Sequence, residues 1–226
     1  MDSPDPPPSP TGWLRQCRSR FGVYWAAKAI GTTVGMTLFF VAYFWLLNHP
    51  LDTDTTMPLI FLDRLVPFQP LSLPLYLSLW FYITLPPFLL VDRGELLRYG
   101  AMVVAISLAG LVIFALWPTK VPPASVDWSL HPSFAFLKSA DPGGNACPSL
   151  HVAFAVFSAF WLGRILRGLG AGRPARALNW LWGAGIVWST MATRQHVALD
   201  VLAGVALAAL AAWLHLRWLG AGARTT

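Results

Sequence analysis

The chain has 226 residues, of which 56% are apolar and 12% charged, with 12 Trp and 14 Phe. This composition excludes an ordinary soluble globular domain and identifies a membrane protein. The net charge of +6 is assigned to anchoring at anionic lipid and carries no information about substrate, and no nucleic-acid partner is expected.

In chain order, the head, residues 1–12, which opens with "MDSPDPPPSP", is too Pro-rich and apolar-poor to fold and is expected to be disordered. Arg15, Arg18, Arg20 and Lys28 precede the first apolar run, which is too long for a signal-peptide core and is expected to be retained as a helix. Six runs are long enough to cross roughly 30 Å of hydrocarbon. They lie near 29–47, 73–91, 98–117, 150–168, 175–193 and 196–216. The fold class expected is therefore an all-α integral membrane protein of six transmembrane helices, with one domain over 13–220 and a short tail, 221–226. The outer loop 118–148 contains Pro142, Gly143 and Gly144 as possible hinges of a lid. Cys17 and Cys147 fall on opposite sides and no bridge is expected.

Sorting the 16 basic residues gives orientation. With both termini cytoplasmic, 12 fall inside, and only Arg64, Lys120, Lys138 and Arg194 fall outside, against Asp52, Asp54, Asp63, Asp127 and Asp141. The outer face is thus read as extracytoplasmic.

Ionisable side chains within a bilayer are costly and need a partner or a function. Ser149 and His151 open the fourth run directly after Pro148, His196 opens the sixth, and Asp200 follows it by four residues. Lys120 ends the third run and Arg194 occupies the turn between the fifth and sixth. All six are expected near the outer surface, converging on one pocket. The four-residue spacing lets the Asp200 carboxylate hold the His196 imidazole and leaves the other ring nitrogen available as nucleophile or base. The bland alternative is an interhelical hydrogen bond from His196 to a carbonyl. Ser149 at a capping position directs the helix N-terminus, its unpaired N–H groups and its positive dipole end, toward the pocket. Two cations, a hydroxyl, a helix N-terminus and two histidines form a phosphate receptor with chemistry attached. For Lys120 or Arg194 taken singly, snorkelling to headgroups is the more frequent fate of an interfacial base, and their coincidence with both histidines weighs against it. No metal or other cofactor is expected, because the two histidines have a single embedded carboxylate and neighbouring cations would repel a divalent ion. A cysteine phosphatase is excluded, since the arginine it needs six residues after Cys147 is Ala153. His49, His131 and His215 lack a carboxylate at helical spacing and are read as loop or interfacial residues.

"ACPSLHVAF", followed 45 residues later (His151 to His196) by the histidine of "STMATRQHVALDVLAG", resembles the second and third signatures of the type 2 phosphatidic acid phosphatase superfamily. The resemblance covers roughly residues 117–205. It implies six-helix lipid-phosphate enzymes in which His196 attacks phosphorus to form a phosphohistidine, Asp200 orients it, and His151 protonates the leaving oxygen. Ser149, Lys120 and Arg194 would hold the phosphate oxygens. The chain departs from the usual S-R-x5-H-x3-D, carrying Ser189 and Thr190 where serine and arginine are expected, with Arg194 as a candidate substitute. It departs from K-x6-R-P, with Asp127 and Trp128 after Lys120, and reads P-S-L-H for P-S-G-H. These variations resemble the inositol phosphorylceramide synthase-like branch.

The function expected is a membrane lipid phosphatase or phosphotransferase acting on a lipid phosphate ester or diphosphate in, on composition, a bacterial plasma membrane. Its partners are that lipid, the surrounding membrane lipids and, for transfer, an alcohol acceptor. The alternatives are a headgroup transferase of the inositol phosphorylceramide synthase type, an intramembrane serine protease using Ser149 and His196, and a non-catalytic transporter or binder of anionic lipid. The protease reading is weak because its serine motif, G-x-S-G, is C-P-S-L here.

Overall fold

The computed structural model describes residues 12–222, so most of the Pro-rich head and the last residues of the tail lie outside the described residues. Helices make up 73% of the structure and strand is nearly absent. A short basic helix α1 (Gly12–Phe21) leads into α2 (Trp25–Asn48). The second apolar run is broken: a 3-10 turn, Pro70–Ser72, continues as α4 (Leu73–Leu77), α5 (Leu79–Tyr82) and α6 (Leu85–Leu89), after a single-turn α3 (Phe61–Leu65). Pro74, Pro86 and Pro87 remove backbone donors within it, which is the physical reason that it breaks into short pieces. Then come α7 (Arg93–Leu116), the short α8 (Ala135–Ala140), α9 (Leu150–Gly168), α10 (Arg173–Ala192) and α11 (Ala198–Gly222).

Among the described residues five helical stretches are long and apolar enough to cross a bilayer: Trp25–Asn48, Pro70–Leu89, Arg93–Leu116, Leu150–Gly168 and Ala198–His215. The chain is an all-α, multi-pass membrane protein. The fifth run of the sequence forms α10, 20 residues long, but Arg173, Arg176 and Asn179 in its first two turns leave it less apolar than the others. Asn179 is buried and satisfied: its side-chain amide donates to Ala159 O at 2.9 Å and accepts from Tyr82 Oη at 2.7 Å. Such polar links join helices in a setting where apolar contact with lipid competes.

α9 is the central helix. Of its most apolar window 78% is buried, against 0% for α2, which presents Ile30, Val34, Leu38 and Val41 outward. α9 packs against α10, α11, α7, α6 and α5. The outward apolar stripe of α2 is the face expected of a helix bathed in hydrocarbon.

One expectation is corrected. His215 is no loop or interfacial residue: it is fully buried on α11, its ring 4.5 Å from that of Trp161. The pattern of α11 places it on the inward face, which the absence of a carboxylate neighbour did not reveal.

Candidate functional site

The site lies where α9 and α11 begin. Ser149 is the N-cap of α9, in extended conformation, and its Oγ accepts the Val152 amide at 3.2 Å. The amides of Leu150 and His151 donate to no protein atom among the described residues. The Ser149 amide donates to Asp200 O at 3.0 Å, tying one helix start to the other. The helices approach so closely that a Cβ at Gly204 would collide with the Ser149 carbonyl oxygen, so glycine is required there.

α11 is entered through a tight reversal. Arg194 adopts the left-handed conformation (φ 55°), and the amides of Gln195 and His196 both donate to Thr190 O, at 3.0 and 3.1 Å. Asp200, in the first turn, accepts the Val197 amide at 3.0 Å. Asp63, from α3, accepts the amides of Ala198 and Ile60, each at 2.7 Å. Two carboxylates therefore cap one helix start, where the dipole favours negative charge.

His196 precedes the helix rather than riding on its face, yet its Nδ1 still lies 3.5 Å from Asp200 Oδ2. The carboxylate is fully buried and the imidazole side chain is 11% exposed. The separation exceeds a normal hydrogen bond, and His196 Nδ1 and Asp200 Oδ1 have no hydrogen-bond partner among the described residues. A shift of a few tenths of an ångström would close the bond.

His151 stacks on Tyr76 at 4.0 Å with rings 10° from parallel and meets the edge of Trp80 at 5.8 Å. Its Nε2 lies 3.1 Å from Tyr76 O. A carbonyl only accepts, so this contact puts a proton on Nε2 and leaves Nδ1 as the nitrogen free to exchange one.

Both histidines line one cavity of about 280 Å³. Its walls are mostly aromatic, among them Phe39, Phe40 and Phe44 of α2, and its polar groups include Tyr43, Asp141 and Asn145. Tyr43 Oη donates to Asp141 Oδ2 at 2.7 Å and Asn145 Nδ2 donates to Tyr43 O at 3.1 Å, fastening the 118–148 segment to α2. This segment is also held by β1 (Thr55–Thr56), parallel to β2 (Thr119–Lys120), and by a bridge from Lys120 to Gly144.

Of the six residues singled out from sequence, His151, His196 and Asp200 are brought together and Ser149 holds the α9 start beneath them. Lys120 and Arg194 do not line the cavity. Lys120 is 48% exposed and lies 3.9 Å from Asp54. Arg194 shapes the reversal with its backbone. The cation tied to that reversal is Lys138, whose Nζ donates to Arg194 O at 3.3 Å and sits 4.7 Å from the Trp128 ring centroid. Burial lowers its pKa and the neighbouring Asp141 carboxylate opposes the shift. Lys138 carries one signal in sequence, as the sole basic residue between Lys120 and Arg164. Tyr76, Trp80, Asp63 and the Thr190 carbonyl were not foreseen and carry no motif.

A family model described as the PAP2 superfamily matches residues 101–223, more than half of the 226-residue chain. The chain belongs to the PAP2 superfamily. The match runs from within α7 to α11 and so takes in both histidines and Asp200. Neither the curated proteins nor the solved structures provide a match. PAP2 membership indicates a phosphatase-type enzyme, a phosphatase or phosphotransferase of phosphate esters.

Proposed function

We propose that this PAP2 protein is a metal-independent membrane lipid phosphatase or phosphotransferase working through a phosphohistidine on His196. The observation that carries the reading is the pairing of His196 with a fully buried Asp200 in a cavity that His151 shares. With Nδ1 turned to Asp200, Nε2 of His196 attacks phosphorus, and the carboxylate stabilises the positive charge that the ring acquires. The N–P bond forms as the P–O bond to the lipid alcohol breaks, and His151, entering this step as the imidazolium with Nε2–H held on the Tyr76 carbonyl, gives that oxygen its proton from Nδ1 and is left neutral. Water or an alcohol then attacks phosphorus, His151 takes its proton, and the N–P bond breaks to restore His196. The free amides at the α9 start bind non-bridging oxygens, with Ser149 fixing the helix start. Lys120 and Arg194 draw the anionic headgroup toward the mouth.

In this reading the six helical segments all cross the bilayer within a single domain, 13–220, with both termini cytoplasmic. The site opens extracytoplasmically in a bacterial plasma membrane. The lipid keeps its tails in hydrocarbon while its phosphate enters laterally, through the aromatic wall beside α2.

A headgroup transferase of the inositol phosphorylceramide synthase type is the second reading. Leu150, the residue that replaces glycine in P-S-G-H, lines the cavity, and its largely apolar walls suit a lipid alcohol better than water. The test is phosphate release from a panel of lipid phosphates by the purified protein with chelator present, with the product lipids analysed in parallel. His196→Ala and His151→Ala should lower turnover by about 10³-fold or more. Free phosphate that depends on His196 identifies the phosphatase, and new headgroup lipids without free phosphate identify the transferase. Wild type and variants equally inert, with lipid alcohols supplied, would favour a lipid binder or transporter.

A further inference from the structure

The end of the bundle away from the histidines carries a second polar feature. Arg167 lies 16 residues after His151 on α9, about 24 Å along the helix axis at 1.5 Å per residue. There the chain reverses: the Ala171 amide donates to Leu166 O at 2.9 Å, Gly170 takes a left-handed conformation (φ 70°), and α10 begins at Arg173. The reversal brings Arg167, Arg173 and Arg176 to one cleft of about 350 Å³, together with Gly163, Ala177 and Trp180.

Three guanidinium groups on one cleft repel one another; Arg167 and Arg173 are exposed, so water screens them in part, and Arg176 is half-buried. Here no carboxylate forms an ion pair with any of the three among the described residues, whereas Arg164 pairs with Glu95 at 2.6 Å. Arg167 spends its Nε–H on Gly163 O at 3.3 Å. Arg176 is half-buried, and its Nε is withdrawn from solvent with no acceptor among the described residues. Snorkelling explains exposed arginines but not an N–H withdrawn from water with nothing to receive it. The N-cap of α10, Gly172, gives no side-chain cap; Pro174 has no N–H and the Arg176 amide donates to Gly172 O at 3.3 Å, so the helix start adds the Arg173 and Ala175 amides and the positive dipole end. A tetrahedral oxyanion fits this donor set, because planar guanidinium forks bind phosphate oxygens in pairs. Trp180, half-exposed at the same cleft, supplies an apolar plate beside the anion.

We propose that this cleft binds the phosphate of an acidic ligand, an anionic phospholipid headgroup, on the side of the protein opposite the histidines, and that its occupancy stabilises the α9–α10 hairpin. The inference does not depend on the catalytic reading. It is tested by thermal unfolding of the full-length protein in neutral detergent with phosphatidylcholine, titrated with phosphatidylglycerol or with inorganic phosphate at constant ionic strength. Phosphatidylglycerol should raise Tm saturably. Arg173→Gln/Arg176→Gln should weaken the apparent affinity at least tenfold while leaving Tm in phosphatidylcholine close to wild type. Arg15→Gln/Arg18→Gln, which removes as much charge from α1, should leave the affinity unchanged. If the double glutamine variant is too unstable to purify, Arg176→Lys keeps the charge, loses the planar fork, and should show an intermediate affinity. An equal saturable rise with inorganic phosphate keeps the phosphate site and assigns its source to solution. The proposal is overturned if the α10 variants respond like wild type, or if the α1 variant loses the response as fully as they do.

Discussion

At the scale of single residues, Asp200 does two separable things. Its Oδ2 accepts the Val197 amide, a structural task that any suitably placed oxygen can perform, and its charge lies behind His196. Asp200→Asn retains an acceptor and removes the charge, so Tm should change little while turnover falls about 10²- to 10⁴-fold. Asp200→Ala should add a stability loss of about 1–2 kcal/mol from the missing cap. If the asparagine variant keeps more than half of the wild-type rate, the carboxylate has no part in the chemistry. Cys147 gives a second measurement. Burial pushes its thiol up to about 11, and the Asp200 carboxylate adds to the shift. At pH 8 only about one thiol in a thousand is then ionised, and the thiolate is the reactive form. Maleimide at pH 8 should spare Cys147 in the folded protein and label it after unfolding, as read by mass spectrometry. Prompt labelling of the native protein would show that the α9 entry is open.

At the scale of elements, the site depends on how closely α9 and α11 start together. Gly204→Ala directs a methyl group at a backbone carbonyl that cannot swing away. Gly110→Ala on α7 meets instead the Leu150 side chain, its nearest atom 2.5 Å away, which can rotate. The first change should cost about 1–3 kcal/mol or more and depress activity by shifting Ser149, and the second should cost less and spare turnover better. Thermal unfolding and lipid-phosphate turnover on both variants check the order; equal losses would mean that the helices are free to separate. The sequence located these elements well where hydropathy speaks. The starts of α9 and α11 fall within two residues of the apolar runs at 150 and 196, and the cap at Ser149 follows from its place after Pro148. It did not resolve the pieces of the 70–89 segment, because proline breaks are local whereas hydropathy averages over a whole crossing. Nor did it anticipate that His196 reaches Asp200 from outside the helix, since the reversal at Arg194 is a backbone conformation and not a pattern of side chains.

At the scale of the whole molecule, α10 decides the topology. Among the described residues it is the long helix that falls short in apolar character, yet it packs along α9 and carries the chain from the arginine cleft back to His196. If it crosses, reporters fused after residue 226 or inserted in the 169–172 turn should be cytoplasmic, and one inserted near 122–126 extracytoplasmic. A cytoplasmic signal from the 122–126 insertion would place the histidines on the other side of the membrane and overturn the orientation. The sequence by itself determined the membrane class, the start of α9 that carries His151, the start of α11 to within two residues of His196, and the signatures of the PAP2 superfamily. These depend on local composition and short spacing, which a bilayer imposes directly on the chain. Only the tertiary structure decided which polar groups meet: that the Tyr76 carbonyl fixes the His151 proton, that Asp63 caps α11, that Lys138 rather than Lys120 is tied to the His196 reversal, and that three arginines share a distant cleft. Each joins residues far apart in sequence or on two elements across a turn. Their meeting is set by the packing of the other helices around α9, which no local pattern encodes.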